Sequence, residues 1–330
     1  MNIAVIGDGG WGTTLAILLN NNGYNTILYG VFADYIRYLN KTRINTKFLP
    51  GVKIPKDIYI TNDLKASLQT ADLIVFAVPS QYARNVLYRI KGALPGGRAV
   101  FLNVTKGIEN KSLMTMSQLA SDVLGKIDIA VLSGPSISHE VSRGMPTIVV
   151  AASKDTALAN QIQMIFTSAT FRVYTSCDVL GVELGGSLKN VIAIAAGMLD
   201  GIKMGENTKA GLIARGLAEI SRLGVAMGAR KDTFYGISGL GDLVTTCMSR
   251  YGRNRWFGKE LARGKRPKDI LKKTKMVVEG IATAKSAYEL SKKYRVEMPI
   301  AQEVWAVLYK GRSPMNSIQN LMARPPKPED

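Results

Sequence analysis

The stretch AVIGDGGWGTTLA, residues 4–16, decides the fold of this chain. It runs from an apolar segment into three glycines spaced G-x-G-x-x-G, and then into a helical pattern. Gly7 would permit a tight turn, Gly9 would let the backbone approach a pyrophosphate, and Gly12 would let the helix pack closely on the preceding strand. The spacing therefore predicts a dinucleotide-binding loop, with the N-terminus of the helix facing the anion.

Apolar runs continue to alternate with helical patterns through the first half of the chain. The runs predicted as strands are 2–6, 25–29, 73–78, 99–104, 129–132, 147–151 and 171–175. Such alternation is typical of parallel strands joined by crossover helices. After Cys177 only helical patterns follow. We therefore predict an α/β fold with a Rossmann-type, mostly parallel sheet domain over 1–180, which binds the dinucleotide, and an all-helical substrate-binding domain over 181–330.

The composition limits the function classes. The 330 residues include 43 Lys and Arg against 25 Asp and Glu, a net charge of +18 that suits nucleic acid, an acidic membrane surface or anionic small molecules. Neither clustered aromatics on a sheet nor a recognised basic-helix module accompanies the charge, so no specific nucleic-acid partner is predicted. No secretory signal and no transmembrane segment are predicted, and two cysteines offer no disulfide framework. We expect a cytoplasmic enzyme.

An enzyme that reduces a ketone with a nicotinamide needs a proton partner beside the carbon that accepts the hydride. The single histidine, His139, lies in a loop and fits a surface position. Lys189 lies within GGSLKNVIAIAAG, 185–197, where a small, apolar helix predicts burial and a lowered lysine pKa. A lysine snorkelling from the side of the helix is the alternative. Lys106, after a predicted strand, fits a solvated loop or contact with a carbonyl or phosphate equally well.

A phosphate site is predicted further along the chain. Arg253 and Asn254 would open a helix, and an arginine fork at a helix N-terminus suits a phosphate. Upstream, Asp242 and Thr246 lie four residues apart, on one helical face. Glycines around Asp242 fit a close approach to a polyol, but a helix N-cap would explain this residue equally well.

With these residues in place, the chain resembles the bacterial NAD(P)-dependent glycerol-3-phosphate dehydrogenase family over nearly its whole length. The motifs that carry the resemblance are GDGGWGT (7–13), NTKFLP (45–50), VPS (78–80), TKG (105–107), SGPS (133–136), GVELGGSLKNVIAIAAG (181–197), GLGDL (239–243), RNRWFG (253–258) and VVEG (277–280). The resemblance implies interconversion of dihydroxyacetone phosphate and sn-glycerol 3-phosphate with NADP or NAD, which supplies phospholipid synthesis. The alternatives are a related two-domain reductase of a hydroxy acid and a basic nucleic-acid-binding protein.

The resemblance also implies roles for single residues, with Lys189 as the proton donor and acceptor. The implied substrate-binding residues are Lys106, Gly134, Ser136, Lys189, Asn190, Asp242, Thr246, Arg253 and Asn254. The predicted cofactor-binding residues are Gly7, Gly9, Gly10, Trp11, Gly12, Lys106, Ser138, Arg253, Val277 and Glu279. No metal site is predicted.

Three positions depart from the pattern of the family. Gly252 replaces a frequent serine, and Ser138 replaces a frequent alanine. The second predicted strand ends in YGVF, 29–32, without the acid that holds a ribose 2′-hydroxyl or the base that holds a 2′-phosphate. The preference between NAD and NADP is therefore open, with Arg37 as a candidate for the missing base. The oligomeric state is open too, and a homodimer is one option.

Overall fold

The apolar run that begins the chain is an inner strand of an eight-stranded sheet in the computed structural model, which describes residues 1–94, 99–274, 276–326 and 328–329. The strands are β1 Asn2–Ile6, β2 Asn25–Tyr29, β3 Tyr59–Thr61, β4 Leu73–Phe76, β5 Val100–Asn103, β6 Ile129–Ser133, β7 Thr147–Ala152 and β8 Phe171–Ser176. Their order is β3-β2-β1-β4-β5-β6-β7-β8, and every neighbouring pair except β6 and β7 is parallel. The prediction of a mostly parallel Rossmann-type sheet is confirmed.

Helices cover the sheet and then form the rest of the chain. They are α1 Gly10–Asn21, α2 Ala33–Thr42, α3 Leu64–Leu68, α4 Ala83–Ala93, α5 Met116–Leu124, α6 Ser138–Val141, α7 Thr156–Phe166, α8 Val179–Ile202, α9 Glu206–Ala226, α10 Lys231–Tyr235, α11 Asp242–Met248, α12 Arg253–Ala262, α13 Pro267–Lys272, α14 Glu279–Lys293, α15 Pro299–Lys310 and α16 Pro314–Met322. A 3₁₀ turn, Ser80–Tyr82, precedes α4, and a π-helical turn, Ile237–Gly241, precedes α11.

Two features of the sheet differ from the sequence prediction. The edge strand β3 was not predicted, because its three residues are too short for a periodic signal. The direction of β7 was also wrong, since β7 runs antiparallel to β6. The connection between them contains only the four-residue helix α6, whereas a parallel return needs a longer crossover, usually a full helix.

The glycine-rich loop joins β1 to α1 at the carboxyl edge of the sheet. Gly7 has a φ of +123°, which L side chains rarely adopt, and its amide donates a 2.9 Å hydrogen bond to the Tyr29 carbonyl at the end of β2. A Cβ at Gly12 would overlap the carbonyl oxygen of Gly7, so only glycine lets α1 start this close to the turn. Both observations match the mechanical roles that the spacing predicts.

The side chains of β1 alternate between two apolar layers, one on each face of the sheet. Ile3 and Val5 pack in the layer beneath α1 and α7, while Ala4 and Ile6 pack in the layer beneath α4 and α5. Burial on both faces explains why the strands read as continuous apolar runs.

The helix α8 is the centre of the third core and connects the sheet to the helical region. Its 24 residues have a window of mean hydropathy 1.4, long and apolar enough to cross a membrane, but 89% of that window is buried beneath other parts of the protein. A core helix of a folded domain shows the same features.

The first turns of α8 are tied to the sheet region by a buried glutamate. Glu183 accepts hydrogen bonds from the Asn103 amide group at 2.9 Å and from the Ser117 backbone and hydroxyl at 2.9 and 2.5 Å. The domain boundary predicted at residue 180 falls within the first turn of α8, which begins at Val179. The helix is therefore shared by the two parts of the chain.

Candidate active site

Two lysines and one aspartate meet in the cleft between the sheet and the helices. The Asp242 carboxylate accepts a hydrogen bond from Lys189 Nζ through Oδ1 and a 2.7 Å hydrogen bond from Lys106 Nζ through Oδ2. Asp242 is 1% exposed and Lys189 is 6% exposed. The three residues come from α11, α8 and the segment after β5, so the fold assembles a charged cluster that no local stretch of sequence contains.

The environment of Lys189 suits proton transfer. Burial lowers its pKa to about 8, with an opposing contribution from the Asp242 carboxylate and a further lowering by the neighbouring Lys106 charge. Lys189 also donates a 2.6 Å hydrogen bond to Thr246 Oγ1. Lys189 does not snorkel to the surface, because its ammonium is bonded to Asp242 and Thr246 inside the protein.

Small residues bring α8 and α11 close enough for these contacts. A Cβ at Gly185 would lie 2.7 Å from the carbonyl oxygen of Ser238 in the π-helical turn that leads to Asp242. Asp242 is the first residue of α11 and makes no capping bond, whereas Thr246 donates a hydrogen bond back to its carbonyl at 2.7 Å. The capping alternative for Asp242 is therefore wrong, because its carboxylate is occupied by lysines.

Lys106 connects the cluster to the loop that follows β6. Its ammonium donates hydrogen bonds to the Gly134 carbonyl at 2.8 Å and to Ser136 Oγ at 3.3 Å. Gly134 has a φ of +136°, which turns this carbonyl toward the cleft with no side-chain penalty. Lys106, Gly134 and Ser136 thus lie together, and the solvated-loop alternative for Lys106 does not describe the structure.

Two asparagines connect the lysine helix to the start of α12. The Asn254 side chain donates to Asn190 Oδ1 at 2.8 Å and accepts from the Gly280 amide at 2.9 Å. Arg253, the first residue of α12, is partly exposed and donates a 3.0 Å hydrogen bond to the Val277 carbonyl. Protein atoms around its guanidinium lower the pKa of Arg253, and the Glu279 carboxylate opposes that fall. Arg253 therefore lies at the open end of the cleft, while Asn190 and Asn254 are committed to each other.

Glu279 joins the N-terminus of α14 to the segment that follows β4. Its carboxylate accepts hydrogen bonds from the Ser80 amide at 3.1 Å, the Ser80 hydroxyl at 2.5 Å and Gln81 Nε2 at 3.2 Å. Burial raises the pKa of Glu279. This contact with Ser80 and Gln81 was not predicted, although the VPS motif pointed to the segment.

The glycine-rich loop has the openings that a dinucleotide needs. A Cβ at Gly9 would meet no atom within 4 Å, whereas one at Gly10 would lie 2.6 Å from the carbonyl oxygen of Phe48 and 3.7 Å from Ser138 Oγ. Among the residues that the structure describes, no group accepts a hydrogen bond from the buried Trp11 Nε1. The open space at Gly9 fits the close approach of a dinucleotide pyrophosphate.

Sequence reasoning missed the support of this loop. Asn45 is fully buried and donates to the Asp8 carbonyl at 2.8 Å and to Thr13 Oγ1 at 2.7 Å. It also accepts hydrogen bonds from the Tyr35 hydroxyl at 2.7 Å and the Phe48 amide at 3.1 Å. The only sequence signal was its position at the start of NTKFLP. Asn45 therefore fixes the glycine-rich loop, although it lies 37 residues after Asp8 in the sequence.

Two other expectations concern residues at the edge of the cleft. The His139 ring lies 6.0 Å from the Tyr251 ring, its aromatic neighbour. Gly252 caps α12 with its backbone alone, and its amide donates to the Ser249 carbonyl at 3.3 Å. Within the described ranges, no group of three His, Cys, Asp or Glu residues could hold a metal ion.

Comparison with known proteins gives a consistent result over the whole chain. The model of the NAD-dependent glycerol-3-phosphate dehydrogenase N-terminus matches residues 2–159, and the model of its C-terminus matches residues 178–319. A glycerol-3-phosphate dehydrogenase [NAD(P)+] of Geobacter sulfurreducens is 46% identical over 99% of this chain and 98% of its own.

Two solved structures of glycerol-3-phosphate dehydrogenases share this architecture. The glycerol-3-phosphate dehydrogenase of Coxiella burnetii is 35% identical, with a TM-score of 0.94 over 98% of this chain and 99% of that one. The enzyme of the same name from Saccharomyces cerevisiae is 26% identical, with a TM-score of 0.83 over the same shares. Both structures therefore match the sheet and the helical region together.

Proposed function

Since this chain belongs to the NAD-dependent glycerol-3-phosphate dehydrogenase family, we propose that Lys189 is the proton donor of its reaction. The reaction is the NAD(P)-dependent interconversion of dihydroxyacetone phosphate and sn-glycerol 3-phosphate, a precursor of phospholipids. The observation that carries the proposal is a buried lysine, with a pKa of about 8, fixed between a carboxylate and a hydroxyl at the cleft.

NAD(P)H, when bound, supplies the hydride that the carbonyl carbon accepts. Lys189 protonates the oxygen as negative charge develops on it, and takes the proton back in the opposite direction. The Asp242 carboxylate holds the Lys189 and Lys106 side chains in place, and its charge opposes the fall in the pKa of Lys189 that burial causes. The two lysines outnumber the one carboxylate, so the cluster is positive and stabilises an alkoxide and an anionic substrate.

Arg253 is proposed to bind the phosphate. It lies at the first position of α12, where the guanidinium and the helix dipole both attract an anion. Asn190 and Asn254 hold α12 against α8 and so set the distance between the phosphate end and Lys189. Lys106, Gly134 and Ser136 line the opposite wall, where they would orient the carbonyl and the free hydroxyl.

The predictions about cellular location, oligomeric state and domain division stay proposals. Both cysteines are free, with Cys177 exposed and Cys247 buried, which supports a reducing cytoplasmic location. A small phosphorylated substrate is consistent with the excess of basic residues. The homodimer stays a prediction of the sequence, as does the division into domains at residue 180.

A spectrophotometric assay of dihydroxyacetone phosphate reduction across pH tests the proposal. Reduction needs protonated Lys189, so kcat/KM should fall as pH rises through about 8, while oxidation of glycerol 3-phosphate should rise over the same interval. The same assay with dihydroxyacetone measures the contribution of the phosphate. A reduction rate that stays level from pH 7 to pH 10 would remove Lys189 from the role of donor.

A further inference from the structure

The Asp8 side chain lies at the carboxyl end of β2, where the sequence of β2 itself provides no carboxylate. In dinucleotide-binding sheets, a carboxylate at this place accepts a hydrogen bond from the 2′-hydroxyl of the adenosine ribose. Here β2 ends at Tyr29, and the chain continues with Gly30, Val31 and Phe32. The inference below rests on the proposed binding of a nicotinamide dinucleotide.

The hydrogen bonds of the sheet place the two segments side by side. Ile6 of β1 is paired with Tyr29 of β2, and the Gly7 amide donates to the Tyr29 carbonyl at 2.9 Å. Asp8 follows directly and reaches across to β2. A Cβ at Gly30 would lie 2.6 Å from both Cγ and Oδ2 of Asp8, so the carboxyl group occupies the space of the missing side chain.

The backbone of Asp8 is fixed, but one oxygen of its carboxylate has no hydrogen-bond donor. The Asp8 backbone carbonyl accepts hydrogen bonds from Asn45 Nδ2 at 2.8 Å and from Thr13 Oγ1 at 3.4 Å. Asp8 Oδ2 is buried, and no residue of the described ranges donates a hydrogen bond to it. Burial raises the pKa of Asp8, while a hydrogen bond from its own backbone amide and the Lys47 charge oppose that rise. Asp8 as a whole is only partly buried, so its carboxyl group can meet a ligand at this edge of the sheet.

The cations near this edge have other contacts, and among them Arg89 donates a 3.0 Å hydrogen bond to the hydroxyl of Tyr29, the last residue of β2. Arg37, the candidate for binding a 2′-phosphate, forms an ion pair with Asp34 on the exposed face of α2. The Lys47 ammonium lies 3.9 Å from the centroid of the Tyr35 ring. The end of β2 therefore presents a carboxylate rather than a free guanidinium.

We propose that Asp8 sets the cofactor preference, by accepting a hydrogen bond from the adenosine ribose of NAD(H) and repelling the 2′-phosphate of NADP(H). Asp8, in the glycine loop, thus has the role that an acidic residue at the end of β2 has in other dinucleotide sites. Gly30 is a positioning residue in this arrangement, because any larger side chain would displace the carboxylate.

The test is calorimetric titration with ADP-ribose and 2′-phospho-ADP-ribose, which lack the nicotinamide and so report on the adenosine end alone. The wild-type chain should bind ADP-ribose about 10- to 100-fold more tightly than its 2′-phosphorylated form, as expected for a hydrogen bond to a charged group. Asp8→Ala and Asp8→Asn should each lower that ratio by about tenfold or more. The matched control is Asp57→Ala, which removes an exposed carboxylate two residues before β3 and should leave the ratio unchanged.

Thermal melting of each variant shows whether it is folded, and Asp8→Asn keeps the shape of the side chain if Asp8→Ala melts early. Equal affinities in the wild type, tighter binding of the 2′-phosphorylated form, or an unchanged ratio in Asp8→Asn would overturn the assignment of Asp8. Failure of the wild type to bind either compound would instead overturn the dinucleotide site itself, and with it the proposed function.

Discussion

The charged cluster at the substrate end is more fully bonded than the glycine loop, although the buried Ser133 Oγ beside α8 also has no hydrogen-bond partner among the described residues. At the substrate end, Lys189 and Asp242 are bonded to each other and to further protein groups. At the dinucleotide end, Asp8 Oδ2 and Trp11 Nε1 are buried without a hydrogen-bond partner among the described residues. The protein thus builds its charged cluster from internal bonds, which position it before substrate arrives. It leaves the glycine loop incomplete, which favours a ligand that completes it.

The largest expected effect comes from removing the ammonium of the preassembled cluster. Lys189→Met keeps the length and apolar character of the side chain, and should reduce kcat about 10²- to 10⁴-fold because the alkoxide loses its proton donor. Steady-state kinetics measures the loss, and titration with ADP-ribose should give wild-type affinity. The exposed Lys285→Met is the control for loss of a lysine charge. Turnover within a few-fold of wild type would exclude the role of Lys189.

A smaller effect is expected at the open end of the cleft. Arg253→Ala should raise the KM for dihydroxyacetone phosphate about 10- to 100-fold, because charged hydrogen bonds to the phosphate are lost. Reduction of unphosphorylated dihydroxyacetone should change little. Arg250→Ala removes an exposed arginine three residues away and separates a specific contact from general attraction. An equal rise in KM in both variants would contradict the proposed phosphate contact.

The smallest effect tests the incomplete end. Gly9→Ala should leave the melting temperature unchanged, because the new Cβ would meet no protein atom within 4 Å and the φ of −68° is ordinary. The affinity for ADP-ribose should fall about tenfold, since the methyl group would enter the space of the pyrophosphate. Gly92→Ala, where a Cβ would also meet nothing, is the control outside the loop. An unchanged affinity in Gly9→Ala would mean that the open space is not used by the cofactor.

The same contrast explains what the sequence could predict. The glycine loop is local, because Gly7, Gly9 and Gly12 are close in sequence and each glycine has a steric reason readable from spacing. The contact between Lys189 and Asp242 spans 53 residues and depends on how α8 packs against α11. Chemical type made both residues candidates, and the family resemblance suggested the site, but neither source indicated that one carboxylate holds two lysines.

The sequence pattern could not predict the direction of β7 or the position of Asp8 beside Gly30 either. The apolar run of β7 looks the same in either direction, and only the short α6 connection makes it antiparallel to β6. The sequence shows that no acid stands at the end of β2, but it does not indicate the proposed replacement, Asp8. Asp8 is adjacent to Gly30 only because β1 and β2 pair in register, which no periodicity reveals.

The tie at Glu183 determines which part of the enzyme carries the proton source. Glu183 and Lys189 are separated by six residues of α8, about 9 Å along the axis, and Glu183 is anchored to Asn103 and Ser117 beneath the sheet. Lys189 is therefore tied through one helix to the nucleotide-binding half. The bond between Asn190 and Asn254 ties the same helix to α12, so the proton source is fixed relative to both the hydride source and Arg253.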